Sequence, residues 1–322
     1  MTKLISSDLV SVTDHITNFS IEENILGDFF HNKVSDKTTI LLVWHKVIDE
    51  DFLNFHPSVR AIVRYGVGYD NIDLDSCKKR NITVANTPDY GIDEVSDSAI
   101  AMILTLTRKI GALESLALSD PNYWLGKEIK LKMKRLNTLS LGIIGLGRIG
   151  GSIAKKFLPF SKNIGFYDPY LSNGYEKVYG IKRFNNLDNL LIESDIISIN
   201  TPLNDETRGM VNEDFLNKMK QGSYLVNLSR GPIVKDKGII LKNLISNQLE
   251  GYATDVWTEE PPLQNDNLYK AWKENRHNIR TKIIVNPHTS YFSSEALEES
   301  RIKACSTCLD IINNRPINNR II

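Results

Sequence analysis

The chain has 322 residues, a formal net charge of zero from 39 basic and 39 acidic residues, and 41% hydrophobic residues. This length suits two domains with sizeable cores, and the balanced charge argues against nucleic acid or an anionic membrane as a partner. No apolar run approaches the roughly 18 residues of a membrane-spanning helix, and the first residues lack the apolar core of a secretory signal. Three cysteines are too few for a disulfide framework. We therefore expect a cytoplasmic protein.

The first hundred residues alternate short apolar stretches with helical patterns. Buried parallel strands are predicted at residues 39–43, 60–64 and 82–85, and a long helix is predicted over residues 94–106. Residues 109–137 follow with many charges and little strand character. We interpret this region as an arm that packs on a second copy of the chain, which predicts a homodimer.

A glycine-rich turn opens the next part of the chain. Gly145, Gly147 and Gly150 form a G-x-G-x-x-G pattern between an apolar strand and a helical segment. The first glycine allows a tight turn, the second lets the backbone approach a pyrophosphate, and the third lets the helix pack close to the strand. Asp168 ends the next apolar strand, where its carboxylate can bind ribose hydroxyls and repel a 2′-phosphate. The pattern predicts a site for NAD rather than NADP.

Strands and helices continue to alternate beyond this turn, which is typical of a doubly wound parallel sheet of the Rossmann type in an α/β fold. The six strands predicted for this sheet cover residues 141–144, 164–167, 196–200, 224–228, 252–255 and 282–285. A final helix is predicted over residues 294–312, with serine at its start and glutamate in its first turns.

Three kinds of reactive side chain follow predicted strand ends, where open α/β sheets bind ligands. They are Arg230, His288 and an acid, either Glu259 or Glu260. A guanidinium can hold a carboxylate through two hydrogen bonds, and an imidazole can exchange a proton near neutral pH. A carboxylate beside an imidazole stabilises its protonated form. Position alone leaves open whether these side chains are catalytic or ordinary surface groups, and it does not separate the two glutamates.

Five segments, in order along the chain, resemble the D-2-hydroxyacid dehydrogenase family. They are VRYGVGYDNID at 63–73, GIIGLGRIG at 142–150, LVNLSRG at 225–231, DVWTEEP at 255–261 and NPH at 286–288. The resemblance implies an NAD-dependent enzyme that interconverts a (2R)-2-hydroxy acid and its 2-keto acid. It also implies catalytic roles for Arg230, Glu260 and His288, and it selects Glu260 because the family's glutamate directly precedes the proline.

The resemblance further implies a split domain organisation. Residues 1–95 and 292–322 would form a flavodoxin-like α/β substrate domain, and residues 96–291 would form the NAD-binding domain with the dimerisation arm. The loop after the strand at 60–64 would bind the substrate carboxylate together with Arg230, through Tyr65, Val67 and Gly68. No metal ion is expected.

Several strand-end residues would contact the coenzyme in this family. The complete predicted NAD-binding set is Gly145, Gly147, Arg148, Ile149, Gly150, Asp168, Thr201, Pro202, Thr207, Leu228, Ser229 and Asp255.

Within the family, the sequence resembles most the branch of the C-terminal-binding proteins. The segment FYDPYLSNG at 166–174 and the aromatic Tyr291 carry this likeness. It leaves an alternative function open, that of an NADH-responsive binding protein or corepressor-like module with vestigial dehydrogenase activity. One departure from the family pattern is a lengthened link between the glutamate and histidine elements, at residues 263–281.

Overall fold

The computed structural model describes residues 9–14, 18–119, 124 and 131–322. The chain divides into two units, one formed by residues 1–91 and 292–322 and the other by residues 92–291. The domain boundary expected at residue 95 lies inside a helix that begins at Ile92.

The first unit is built on a sheet of five parallel strands in the order β2-β1-β3-β4-β5. This is the flavodoxin-like strand order, as predicted. The strands are β1 (Leu9–Val12), β2 (Phe30–His31), β3 (Thr38–Val43), β4 (Ala61–Arg64) and β5 (Thr83–Ala85). The sequence analysis missed the first two of these strands, which are short.

Three helices connect the strands of this unit, namely α1 (Ser20–Leu26), α2 (Glu50–Phe55) and α3 (Leu74–Lys79). Aspartates begin the second and third of them. Asp49 accepts the N–H of Phe52 at 2.8 Å, and Asp73 accepts the N–H groups of Asp75 and Ser76 at 3.0 Å each. Such caps satisfy backbone donors that have no partner within the helix, so they fix where each helix starts.

The second unit begins with two helices, α4 (Ile92–Thr107) and α5 (Ile110–Ser119), and continues into a sheet of seven parallel strands. The strands are β6 (Leu141–Ile144), β7 (Ile164–Tyr167), β8 (Lys182–Arg183), β9 (Ile196–Ile199), β10 (Ser223–Asn227), β11 (Leu249–Thr254) and β12 (Ile283–Val285). Their order is β12-β11-β10-β9-β6-β7-β8. The six predicted strands are present, but the prediction of six was wrong, because β8 is two polar residues long and has no apolar pattern.

Both faces of this sheet are buried, because consecutive strand residues belong to different cores. Ile143 packs in one apolar cluster and Ile144 in the other, and Leu225 and Val226 divide in the same way. This explains why the strands appear in the sequence as continuous apolar runs. The remaining helices of the unit are α6 (Arg148–Phe157), α7 (Tyr175–Tyr179), α8 (Leu187–Glu193), α9 (Glu213–Lys218), α10 (Lys237–Ile245) and α11 (Asn267–Lys273).

The last helix, α12 (Ser294–Ile312), belongs to the first unit and has the predicted bounds. Its N-cap, Ser293, accepts the N–H of Ala296 at 2.9 Å.

The predicted arm at 109–137 is described only in part, since residues 120–123 and 125–130 lie outside the described residues. None of the helices in the described part of the chain has the length and apolarity that crossing a bilayer requires.

A buried carboxylate joins the start of β9 to the chain before β6. Asp195 accepts the N–H of Ser140 at 3.0 Å and its hydroxyl at 2.8 Å, and it pairs with Lys134 at 3.0 Å and Lys220 at 3.4 Å. Burial alone would raise the pKa of Asp195, but the hydrogen bonds and the two ammonium groups outweigh it and lower the pKa to about 2. The folded protein therefore holds this carboxylate in its ionised form.

Replacing this carboxylate should destabilise the second unit at neutral pH. We expect Asp195→Asn to lower the free energy of unfolding by about 2 kcal/mol at pH 7. The folded-state pKa is depressed, so the contribution is present above about pH 4 and is lost as the pH falls towards 2. Urea unfolding at several pH values measures this difference, and an equal stability of both proteins at pH 7 would contradict it.

Candidate active site

The glycine-rich turn lies between β6 and α6, where the order of the sheet reverses. Gly145 has a φ of +85°, and a Cβ there would lie 2.7 Å from the carbonyl oxygen of Asn200. A Cβ on Gly150 would overlap the carbonyl oxygen of Gly145, so α6 can pack against β6 only with glycine at this position. A Cβ on Gly147 would meet nothing within 4 Å, which leaves open space beside the start of the helix. The first and third glycines thus have the packing roles expected of them.

The residues around this turn fit a dinucleotide. No side chain caps the start of α6 at Gly147, so the helix start is open to an anion at Arg148 and Ile149. The hydroxyl of Thr201, after β9, is buried and has no hydrogen-bond partner among the described residues. Asp168, after β7, accepts the N–H of Leu146 in the glycine turn at 3.0 Å. Its carboxylate is therefore held beside the turn, and its contact with a ribose stays a prediction.

Some predicted coenzyme residues have structural partners of their own. The hydroxyl of Thr207 donates to the carbonyl oxygen of Pro202 at 2.6 Å, which closes the loop after β9. The hydroxyl of Ser229 donates to the carbonyl oxygen of Ile199 at 2.9 Å, and Leu228 is half-buried. These bonds shape the strand ends, and direct contacts of these residues with NAD stay predictions.

His288 and Glu260 contact each other directly. Nδ1 of His288 lies 2.6 Å from Oε2 of Glu260, and Oε1 of Glu260 accepts the backbone N–H of Trp257 at 2.8 Å. The two side chains are 39% and 37% exposed, so the pair is open to solvent and to a ligand. The geometry makes Glu260 the acid that orients the imidazole.

Charge around Glu260 keeps it ionised. Burial alone would raise the pKa of Glu260, but the hydrogen bonds from His288 and from Trp257 lower it. The positive charges of His288 and Arg230 act in the same direction, and the net effect is a lowered pKa. A carboxylate that stays ionised is what an imidazole needs if it is to carry a proton.

Arg230 follows β10 and is placed by its neighbours in the chain. Its carbonyl oxygen accepts the side-chain amide of Asn227 at 3.0 Å, and its guanidinium donates to the carbonyl oxygen of Ser229 at 2.8 Å. The next residue, Gly231, lies so close to the carbonyl oxygen of Trp257 that a Cβ would overlap it. The end of β10 is thereby packed against the turn that carries Glu260.

Asp255 has a role that the sequence analysis missed. Its carboxylate accepts the N–H groups of Thr289 at 2.9 Å and Ser290 at 3.1 Å, and its carbonyl oxygen accepts the N–H of His288 at 2.8 Å. Burial raises the pKa of Asp255, while these N–H groups oppose the shift. His288 has a φ of +55°, a conformation that is uncommon for residues other than glycine. Asp255 therefore holds the histidine turn, and its expected contact with NAD stays a prediction.

Comparison with known proteins assigns the family. Residues 100–290 match the model of the NAD binding domain of D-isomer specific 2-hydroxyacid dehydrogenases. A glyoxylate reductase of Thermofilum pendens is 33% identical over 270 residues, covering 82% of this chain and 75% of the relative. A glyoxylate reductase of Pyrococcus horikoshii is 31% identical over 287 residues, covering 86% of this chain and 80% of the relative. This chain belongs to the D-isomer specific 2-hydroxyacid dehydrogenase family.

A solved structure extends the likeness to the whole fold of the dehydrogenase. D-lactate dehydrogenase from Aquifex aeolicus, complexed with NAD and lactic acid, has a TM-score of 0.81 and 28% sequence identity, covering 95% of this chain and 96% of that chain. The predicted family, α/β fold and NAD cofactor are confirmed, and the protein is an NAD-dependent enzyme that interconverts 2-hydroxy and 2-keto acids. These relatives favour the enzyme over the binding-protein alternative. The branch of the C-terminal-binding proteins stays a prediction.

The substrate loop of the dehydrogenase requires one correction. Tyr65 is fully buried in the first unit, where its hydroxyl donates to Glu22 at 2.8 Å and its N–H donates to Val43 at 2.9 Å. Burial and the charge of Glu22 raise the pKa of Tyr65 well above its usual value. Tyr65 therefore has neither its hydroxyl nor its N–H available for a substrate, and it supports the loop from below. Val67 is exposed and Gly68 is half-buried, so the tip of the loop is accessible.

The contact between Gly231 and Trp257 should be essential for activity of the dehydrogenase. In Gly231→Ala the new Cβ would overlap the Trp257 carbonyl oxygen, so Arg230 and the Glu260 turn must move apart. Displacements of this size cost about 10²-fold in rate, and we expect a loss in kcat of that order with NADH affinity retained. Steady-state kinetics and an NADH titration measure both quantities. Wild-type kcat in Gly231→Ala would contradict the expectation.

Proposed function

We propose that Arg230, Glu260 and His288 carry out the acid–base and binding steps of the reaction. In the reducing direction, Arg230 holds the carboxylate of the 2-keto acid and polarises the keto oxygen. His288, its imidazolium stabilised by Glu260, gives its proton to that oxygen as the carbonyl carbon is reduced. The bound coenzyme would supply the hydride as NADH in this direction and would accept it as NAD⁺ in the other. The 2.6 Å contact between His288 and Glu260, with the charge of Arg230 acting on the same carboxylate, supports this assignment.

We also propose that the backbone N–H groups of Val67 and Gly68 bind the substrate carboxylate. The loop is anchored below by Tyr65 and on one side by Asn86, whose amide donates to the Val67 carbonyl oxygen at 2.6 Å. An anchored loop with a glycine can bring its backbone close to an anion without interference from side chains.

The substrate that we propose is a small 2-keto acid that is reduced to the (2R)-hydroxy acid. The relatives named glyoxylate reductase and D-lactate dehydrogenase support this class. The ring of Tyr291 stands edge-on to His288, with centroids 6.4 Å apart, so an aromatic surface lies beside the proton donor. This surface suits a substrate side chain on the keto carbon.

Removal of the imidazole should stop proton transfer and leave coenzyme binding intact. General acid catalysis contributes about 10²- to 10⁴-fold, so we expect His288→Ala to lower kcat by a factor in that range while the Kd for NADH is unchanged. The measurement is NADH oxidation with a panel of 2-keto acids that includes glyoxylate, pyruvate and hydroxypyruvate. The same panel with NADPH should give much slower turnover, because Asp168 repels a 2′-phosphate.

The control for this experiment is His31→Ala, which removes an exposed histidine from β2. Near wild-type kcat in His288→Ala would refute the role of this residue. No turnover of any keto acid by the wild type, with tight NADH binding, would instead favour the NADH-responsive binding protein.

We further propose that the protein is a cytoplasmic homodimer. Helix α5 is largely apolar, yet none of its ten residues is buried, and Ile110 and Leu118 are 52% and 83% exposed. Trp124, in the same predicted arm, is 77% exposed. A second copy of the chain would cover this surface, since large exposed apolar patches mark interfaces. The cytoplasmic location is supported by the three cysteines, which are all free and buried.

Light scattering should give twice the mass of one chain for the wild type. Leu118→Asp places a charge in the proposed interface, so we expect the mass to fall towards that of a monomer. Ile192→Asp, at another exposed apolar position on α8, should leave the dimer intact. A monomeric wild type would contradict the proposal.

A further inference from the structure

The lengthened link after the catalytic glutamate is a packed part of the second unit. It contains α11 and a kinked segment, Arg276–Lys282, in which 3₁₀ turns are interrupted at His277 and Asn278, and both parts contribute to the core. Leu268 and Ile279 are fully buried there, and Ala271 is 3% exposed. A segment that buries apolar side chains in this way has a fixed position relative to the strands beneath it.

Asp266 connects this segment to the active-site turn. Its Oδ1 accepts the N–H of Tyr269 at 2.8 Å and so caps α11, and its Oδ2 accepts Nε1–H of Trp257 at 3.0 Å. Each carboxylate oxygen thus has a separate partner. Hydrogen bonds to an ionised carboxylate are stronger than those between neutral groups, so the indole has a firm anchor.

Trp257 is also held on its other sides. Its side chain is 5% exposed, and the ammonium group of Lys237, itself buried, lies 5.4 Å from the ring centroid. The ring of Tyr269 meets the indole edge-on, with centroids 6.2 Å apart. The backbone N–H of this immobilised residue is the group that binds Oε1 of Glu260.

We infer that Asp266 and the indole of Trp257 are positioning residues for the Glu260–His288 pair. This inference rests on the acid–base roles proposed above. The glutamate side chain is more than a third exposed, so it can sample other rotamers unless one of its oxygens is fixed. The anchored Trp257 N–H fixes Oε1, and Oε2 then faces the imidazole. Through Asp266 and Trp257, the lengthened link therefore fixes the position of the Glu260–His288 pair.

Two variants remove the anchor by different routes. Asp266→Ser keeps an N-cap for α11, because serine is a good capping residue, but it loses the acceptor for the indole. Trp257→Phe keeps a buried ring and loses the Nε1–H donor. For each we expect kcat to fall about threefold to tenfold, which is the effect of losing one hydrogen bond. KM for the keto acid and the Kd for NADH should change little. Asp49→Ser makes the same substitution at the N-cap of α2 and should keep wild-type kcat.

The decisive comparison uses Glu260→Gln as a second background. If Asp266 and Trp257 act through the carboxylate of Glu260, adding either variant to Glu260→Gln should lower kcat no further, whereas independent effects would multiply. Full multiplication, or wild-type kcat in both single variants, would overturn the inference. Wild-type kcat in Glu260→Gln itself would refute the proposed acid–base pair, so the two failures are distinguishable.

Discussion

The proton-transfer pair depends on the backbone of a single residue, Trp257. Its N–H binds Glu260, and its carbonyl oxygen lies against Gly231. The first contact orients the acid beside His288, and the second sets how closely the arginine-bearing strand end can approach. Because both contacts use backbone atoms of Trp257, the path of the chain at this residue restricts the geometry of the site.

The register of the sheet explains why the segments that carry Arg230, Glu260 and His288, which are distant in sequence, lie close together. Asn227 pairs with Thr254, and Thr254 pairs with Val285, on adjacent parallel strands. Residues 230, 257 and 288 each lie three residues beyond these paired positions. In-register parallel strands end at the same edge of the sheet. The arginine, the turn that holds the acid and the histidine therefore lie together at that edge. The apolar cores on both faces hold that register, because a slip of one residue would exchange the faces.

A motif with a fixed spacing can be predicted from the sequence, whereas a contact that only the fold makes cannot. The glycine turn, Asp168 and the three residues proposed as catalytic all follow strands that apolar runs mark clearly. Tyr65 was misjudged from its place in a glycine-rich loop. Residues 61, 63 and 65 share one apolar cluster, so the alternation along β4 already indicated that Tyr65 faces the core. No pattern links Asp266 to Trp257, since a hydrogen bond between side chains depends on how α11 packs.

The first unit shows a comparable dependence on distant parts of the chain. Glu22 is fully buried and accepts hydrogen bonds from the Tyr65 hydroxyl and from Nε of Arg301, each at 2.8 Å. A buried carboxylate without a cation is strongly destabilising, so this core is complete only when α12 supplies Arg301. The loop that we propose for the substrate carboxylate rests on Tyr65. Its rigidity therefore depends on an arginine encoded after the entire coenzyme-binding unit, which couples the two ends of the chain to one binding loop.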